Sequence, residues 1–168
     1  EARLPGACSF VIPAPTARMR RLGEADAATM PELPRNIRFT DGQARDTLLQ
    51  AHAAAVASGT ATLEACLMRC PTVLVYAASR ITCLLARLFV KGVRHLGLAN
   101  IVAGREVMPE LLQDAFTPER LADALLRYLT DDAARAQVLA GYDEANAKLG
   151  TGQASERAAE EIARFFWA

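Results

Sequence analysis

The chain switches repeatedly between short apolar runs and longer segments in which apolar residues recur every three or four positions. Short apolar runs closed by turn residues are typical of buried strands, and the longer spacing is typical of helices with one buried face. We predict strands at residues 8–12, 36–40, 52–57 and 72–76. We predict helices at residues 17–33 (with a loop), 43–51, 60–69, 79–94, 109–113, 117–129, 131–148 and 154–166. Residues 96–102 are predicted to be extended and to lead into a turn at residues 103–106.

Strands and helices alternate at the spacing of βαβ units. This predicts an α/β fold with a Rossmann-like parallel sheet flanked by helices, and with further helices at the C-terminus. We assign residues 1–150 to this domain and residues 151–168 to a C-terminal helix. Ligands of open parallel sheets bind beyond the carboxyl ends of the strands, where Thr40 and Ser58 are both expected.

The composition of the chain argues against some classes of function. The 168 residues are 52% hydrophobic and 6% aromatic, which suits one domain with a core rich in Ala, Leu and Val. The 19 basic and 19 acidic residues cancel, so no overall field favours nucleic acid as a partner. No signal peptide is recognised, and no apolar run is long enough to cross a bilayer.

The four cysteines lack the spacing of a metal site. Cys66 and Cys70 lie four residues apart on one predicted helix face, but no second pair of Cys or His follows them. We therefore expect buried thiols in a reducing cytosol, and no bound metal. His52 and His95 are isolated, and we expect them to be structural or exposed rather than catalytic.

The segment from Ser58 to Glu64 is the strongest candidate binding element. A helix that begins directly after a strand presents unpaired backbone N–H groups, which suit an anion such as a diphosphate. Gly59 allows close approach of the backbone, and the neighbouring hydroxyls add donors. The alternative is a simple capped helix, with Ser58 or Thr60 as N-cap and Glu64 in a capping-box role.

Three motifs in the same order resemble one enzyme family. Residues 58–64 (SGTATLE) followed by residues 70–76 (CPTVLVY) resemble the nucleotide half of GT-B glycosyltransferases that use UDP-sugars. Residues 98–113 (LANIVAGREVMPELLQ) and 150–159 (GTGQASERAA) resemble lipid-A-disaccharide synthase. The resemblance covers the chain from about Phe10 to its end. It implies a longer protein, because no counterpart of the family's N-terminal acceptor domain, or of the first strand of its C-terminal domain, is found here.

The resemblance also implies roles for matching residues. Thr40 would lie near uracil, the Ser58–Thr62 segment would face the diphosphate, and Glu64 would hold the ribose. Asn100 and Arg105 would act on the donor and contribute little to folding, although Arg105 and Glu106 alone also fit a surface ion pair on a turn. Backbone N–H groups would stabilise UDP as a leaving group, so neither a metal nor another cofactor is implied. The implied substrate-binding residues are Thr40, Ser58, Gly59, Thr60, Thr62, Glu64, Asn100, Gly104, Arg105 and Glu106.

The implied activity is an inverting transfer in lipid A biosynthesis. The partners would be UDP-2,3-diacylglucosamine as donor, 2,3-diacylglucosamine 1-phosphate as acceptor, and the cytoplasmic face of the inner membrane of a Gram-negative bacterium. No catalytic residue is assigned, because the family places its general base in the N-terminal domain. An exposed sheet edge would favour self-association, which is compatible with a homodimer. The alternatives are another UDP-sugar GT-B enzyme, such as the peptidoglycan N-acetylglucosaminyltransferase or a UDP-sugar epimerase, and a non-catalytic nucleotide-binding domain.

The predicted helix at residues 79–94 has two interpretations. Its apolar residues are edged by Arg87, Lys91 and Arg94, a pattern that suits an anionic membrane surface. The same pattern suits a core helix whose basic side chains extend outward to water.

Overall fold

The computed structural model describes residues 8–31, 33, 36–79, 94–150 and 154–167. Its strands are β1 (Phe10–Ala14), β2 (Ile37–Asp41), β3 (Ala54–Ala57), β4 (Thr72–Tyr76) and β5 (Glu110–Leu112). Its helices are α1 (Ala17–Ala28), α2 (Ala44–Gln50), α3 (Thr60–Leu67), α4 (Leu98–Ala103), α5 (Pro118–Thr130), α6 (Asp132–Leu149) and α7 (Ala154–Trp167). A single 3₁₀ turn, Gln113–Ala115, follows β5.

The strands form two parallel sheets in two compact units that divide between Ala51 and His52. In the first unit β1 pairs in parallel with β2, and Phe10 lies opposite Ile37. Helix α1 connects these strands, and its N-cap is Thr16, whose hydroxyl accepts a hydrogen bond from the Met19 N–H at 3.3 Å.

The second unit contains a three-stranded parallel sheet with the order β3-β4-β5. Helices α3, α4 and α6 pack together, and α5 packs against α6 and the sheet. Leu74, Met108 and Tyr142 are fully buried at the centre of this core. The α/β class, the parallel pairing and the C-terminal helices are as predicted from the sequence.

Two predicted elements are wrong. Residues 98–103 form a helix rather than an extended segment, because α4 is held by contacts far along the chain. The predicted helix at residues 109–113 is β5 followed by the 3₁₀ turn. Its local preference is overridden by pairing with β4, in which Val75 lies opposite Leu111.

Most of the predicted helix at residues 79–94 lies outside the described residues. Among the described helices, none is both long and apolar enough to cross a membrane. Helix α7 carries apolar side chains that are largely exposed, including Ile162, Phe165 and Phe166.

Candidate nucleotide-binding site

Helix α3 begins immediately beyond the end of β3, at what we call the carboxyl edge of the three-stranded sheet. Its N-cap is Gly59, with φ 142° and no side-chain cap. That φ disfavours any residue with a Cβ. The backbone N–H groups of Gly59, Thr60 and Ala61 have no hydrogen-bond partner within the part of the chain that the structure describes. They form an open set of donors at the positive end of a helix.

The simple capped-helix alternative is wrong. Neither Ser58 nor Thr60 caps α3, and Glu64 is its fifth residue, whereas a capping box requires the third. The Glu64 side chain is exposed and has no hydrogen bond or ion pair to any described residue. Its carboxylate is therefore available on the second turn of the helix that presents the open N–H groups.

Thr62 differs from the other hydroxyl residues of this segment because it is fully buried. Its Oγ1 donates to the Gly59 carbonyl at 2.8 Å and accepts from the Leu98 N–H at 3.1 Å. Both functions of the hydroxyl are used inside the chain, so Thr62 shapes the start of α3. Contact of Thr62 with a ligand stays a prediction.

Asn100, on α4, is also fully buried, and both the oxygen and the nitrogen of its amide make hydrogen bonds. Its Oδ1 accepts from the N–H groups of Val107 and Met108 at 2.7 and 3.0 Å. Its Nδ2 donates to the Met108 carbonyl at 2.9 Å and to Glu110 Oε1 at 2.8 Å. This amide therefore joins α4 to β5, and the expectation that Asn100 contributes little to folding is wrong. A donor contact of Asn100 stays a prediction.

Glu110 was missed by the sequence analysis. Its side chain is only 6% exposed and accepts from the Leu96 N–H at 2.9 Å and the Gly97 N–H at 3.0 Å. The His95 imidazole lies 4.0 Å away and forms an ion pair only when protonated. Glu110 thus occupies the N-terminus of α4. An acidic residue inside the apolar run from Val107 to Leu112 was the signal that could have revealed it.

Arg105 and Glu106 do not lie at the carboxyl edge of the sheet, where α3 begins. They precede β5, whereas Ser58 follows β3, and the two strands run parallel. They therefore lie towards the opposite, amino edge of the sheet. Arg105 pairs with Glu144 of α6, with Nη2 to Oε2 at 2.6 Å, so the alternative of an ion pair with the Glu106 carboxylate is wrong. The pairing lowers the pKa of Glu144, chiefly through the hydrogen bond from Arg105 and then that from Lys148.

The structure therefore separates two groups of residues that the sequence analysis had combined. Gly104 ends α4 with φ 75°, and Arg105 and Glu106 line a cavity of about 200 Å³ between the start of β5 and helices α5 and α6. Tyr128 lines the same cavity, and burial raises the pKa of its phenol to about 12. Contacts of Gly104, Arg105 and Glu106 with a substrate stay predictions.

Thr40 belongs to the first unit, near the end of β2. Its hydroxyl is half-buried and donates to the Gly42 carbonyl at 3.4 Å. Gly42 has φ 65°, which forms the predicted turn after the strand. Contact of Thr40 with a base stays a prediction.

Cys66 and Cys70 are buried, as expected from the sequence. Burial raises the pKa of the Cys66 thiol to about 11, so this thiol is protonated at neutral pH. Among the described residues, no three His, Cys, Asp or Glu side chains cluster in the manner of a metal site.

Comparison with known proteins shows the family. The lipid-A-disaccharide synthetase (LpxB) family model matches residues 12–164. The lipid-A-disaccharide synthase of Burkholderia vietnamiensis is 41% identical over 165 residues, which are 98% of this chain and 41% of that protein. That of Anaeromyxobacter dehalogenans is 44% identical over 126 residues, which are 75% of this chain and 33% of that protein.

A solved structure supports the fold. The glycotransferase of kitacinnamycin matches with a TM-score of 0.52 at 17% identity, over 95% of this chain and 44% of that chain. The present chain spans about a third to two-fifths of the length of the curated relatives it matches. The family-model match over most of the chain, together with these identities, shows that the chain belongs to the lipid-A-disaccharide synthase family.

Proposed function

We propose that this chain is the nucleotide-sugar-binding part of a lipid-A-disaccharide synthase, and that it binds the UDP moiety of a UDP-2,3-diacylglucosamine donor. The observation that carries the proposal is the open N-terminus of α3. Three adjacent N–H groups from Gly59 to Ala61 lack partners among the described residues, and Gly59 leaves the approach to them clear of a side chain. A diphosphate suits this arrangement in charge and in hydrogen bonding.

Glu64 supports the nucleoside half of the proposal. A carboxylate would repel phosphate, but it accepts hydrogen bonds well from the two hydroxyls of a ribose. Glu64 is exposed and uncommitted on the same helix as the open donors. We assign the ribose to Glu64.

The reaction that follows from the family is an inverting transfer. The acceptor 6-hydroxyl attacks the anomeric carbon of the donor, the bond to the diphosphate breaks, and UDP leaves as the β-1,6 disaccharide forms. Preorganised N–H groups at Gly59 stabilise the charge that develops on the leaving diphosphate, without a requirement for a metal. The hydroxyl proton passes to a general base, which we place outside this chain.

Isothermal titration calorimetry with UDP tests the binding proposal. Loss of a charge-assisted hydrogen bond costs about 1.5–3 kcal/mol, so Glu64→Ala should weaken UDP binding at least tenfold. The same variant should bind 2′,3′-dideoxy-UDP as the unaltered chain does, because that ligand lacks the ribose diol. Glu119→Ala, which removes another exposed helical carboxylate, is the matched control. If the unaltered chain does not bind UDP, the proposed function is wrong.

The chain alone should make no disaccharide. Absence of a positioned base typically costs about 10²–10⁴ in rate, and loss of acceptor positioning costs more. Incubation with both lipid substrates, followed by mass spectrometry, tests this expectation. Robust turnover would show that the base lies within these residues.

A further inference from the structure

The segment from His95 to Leu98 borders the start of α3, and within the described part of the chain it is held by side chains from other elements. Ser58 Oγ donates to the Leu96 carbonyl at 3.4 Å, and Thr62 Oγ1 accepts from the Leu98 N–H at 3.1 Å. Between these two contacts, the Leu96 and Gly97 N–H groups both point at the Glu110 carboxylate.

Glu110 is the centre of this network. Its Oε1 accepts from Leu96, Gly97 and Asn100 at 3.1, 3.0 and 2.8 Å, and its Oε2 accepts from Leu96 at 2.9 Å. A buried carboxylate with this many donors is satisfied and costs little, whereas removal of its charge or shape leaves several donors without a partner.

The network continues from Glu110 to the open donors. Glu110 fixes the backbone of Leu96 and Gly97, and the adjoining Leu98 N–H meets Thr62 Oγ1. Thr62 in turn donates to the carbonyl of Gly59, the residue that starts α3. A displacement at Glu110 therefore has a continuous hydrogen-bonded route to the N–H groups of Gly59 and Thr60.

We propose that Glu110 is a positioning residue for the diphosphate. It acts through the 95–98 segment and Thr62 to hold the open N–H groups of α3 at the spacing that a diphosphate requires. This inference rests on the proposed function, because it assumes that the ligand at α3 carries a diphosphate. Glu110 itself touches no substrate.

The informative measurement is the ratio of the dissociation constants for uridine and for UDP, since this ratio isolates the contribution of the diphosphate. Glu110→Gln keeps the size of the side chain but places an amide N–H against backbone donors. We expect the variant to lose about tenfold in UDP affinity, equivalent to about 1.4 kcal/mol, while its uridine affinity stays unchanged. A general loss of stability would not move the ratio of the two constants.

Gly97→Ala supplies a second, milder perturbation. A Cβ at Gly97 would lie 3.3 Å from Glu110 Oε1 and 3.1 Å from Leu74 Cδ1, so the carboxylate and the segment must move apart slightly. We expect the same selective loss of UDP affinity. This variant keeps the proposal testable if Glu110→Gln fails to fold.

Tyr142→Phe is the matched control. It removes a buried hydrogen bond to Thr72, at the start of β4 and away from the diphosphate edge. It should lower the melting temperature but leave the ratio of the uridine and UDP constants unchanged.

The outcomes separate the two proposals. If the unaltered chain shows no preference for UDP over uridine, the proposed diphosphate site itself fails, and this inference fails with it. If the unaltered chain prefers UDP and folded Glu110→Gln or Gly97→Ala keeps that preference in full, Glu110 is only structural and the inference alone is overturned.

Discussion

The Tyr142 hydroxyl accepts a hydrogen bond from the Thr72 backbone N–H at 3.1 Å in the interior of the second unit. This bond ties the middle of α6 to the first residue of β4. The other buried tyrosine, Tyr128, faces the cavity beside Arg105, and its hydroxyl makes no hydrogen bond to a described residue. The two buried tyrosines therefore differ in whether the hydroxyl has a hydrogen-bond partner among the described residues.

Tyr142→Phe should destabilise the chain by about 1–3 kcal/mol, because it leaves the buried Thr72 N–H without its acceptor. Tyr128→Phe should change the free energy of unfolding by less than about 0.5 kcal/mol, because no partner loses a bond. Urea unfolding followed by circular dichroism compares the two. Equal losses of stability would mean that the Thr72 contact contributes nothing.

Asn100→Ala should cost about 3 kcal/mol or more. It leaves two backbone N–H groups, one carbonyl and one oxygen of Glu110 short of a partner in the core. Asn146→Ala is the control, because among the described residues the Asn146 amide has one weak contact, with the Cys66 thiol. Thermal unfolding of both variants provides the measurement. A variant at Asn100 with unchanged stability would restore the expectation that this residue serves only the donor.

Glu144→Gln should lower the melting temperature slightly at neutral pH and not at all in acid. Arg105 holds the pKa of Glu144 below its ordinary value, so the pair contributes stability above that value and loses it as the pH falls through the lowered pKa. The effect should also shrink in high salt, because the pair is exposed.

Donor binding separates the two roles considered for Arg105. We expect Arg105→Ala to bind UDP as well as the unaltered chain, because Arg105 lies towards the amino edge of the sheet. Weaker binding of the UDP-sugar by Arg105→Ala, but not by Glu144→Gln, would instead support the donor contact that the family resemblance implies.

The basic residues of the 79–94 segment allow a test between the two interpretations of that segment, a membrane-surface helix and a core helix. Each basic residue near an anionic surface contributes about 1 kcal/mol, so joint replacement of Arg87, Lys91 and Arg94 by Gln should release the chain from anionic vesicles. Replacement of three exposed arginines of the first unit, Arg18, Arg21 and Arg45, is the control. Co-sedimentation provides the readout, and unchanged binding of the first variant would favour an ordinary core helix.

The sequence predicted those elements whose signals are local. The Thr117-Pro118 pair starts α5 as predicted, with Thr117 Oγ1 accepting from the Arg120 N–H, and the β3–α3 junction falls at Gly59 as the Ser-Gly-Thr motif indicated. The failures depend on distant contacts. Helix α4 and strand β5 take their conformations from each other and from β4, and no window of sequence contains those partners.

The same limit applied to the candidate site. Residue type showed that Thr62, Glu64 and Asn100 carry hydrogen-bonding groups, but not which way each side chain points. Glu64 is exposed, whereas Thr62 and Asn100 are fully buried and bonded within the chain. The burial of Glu110 beneath Leu96 and Gly97 depends on the path of α4, which the sequence analysis did not foresee.

Helix α4 has only six residues, and both of its ends are stabilised from outside. Glu110 accepts from the Leu96 and Gly97 N–H groups, which precede the first turn of α4. Lys148 Nζ donates to the carbonyl of Ala103, the last residue of α4, at 2.5 Å. Helices this short are unstable in isolation, so α4 should form only after β5 and α6 are in place. Its amide protons should then exchange with solvent at one common rate that tracks the opening of the second unit. Helix α4, which packs against α3, would therefore open and close as one cooperative unit, rather than by local fraying.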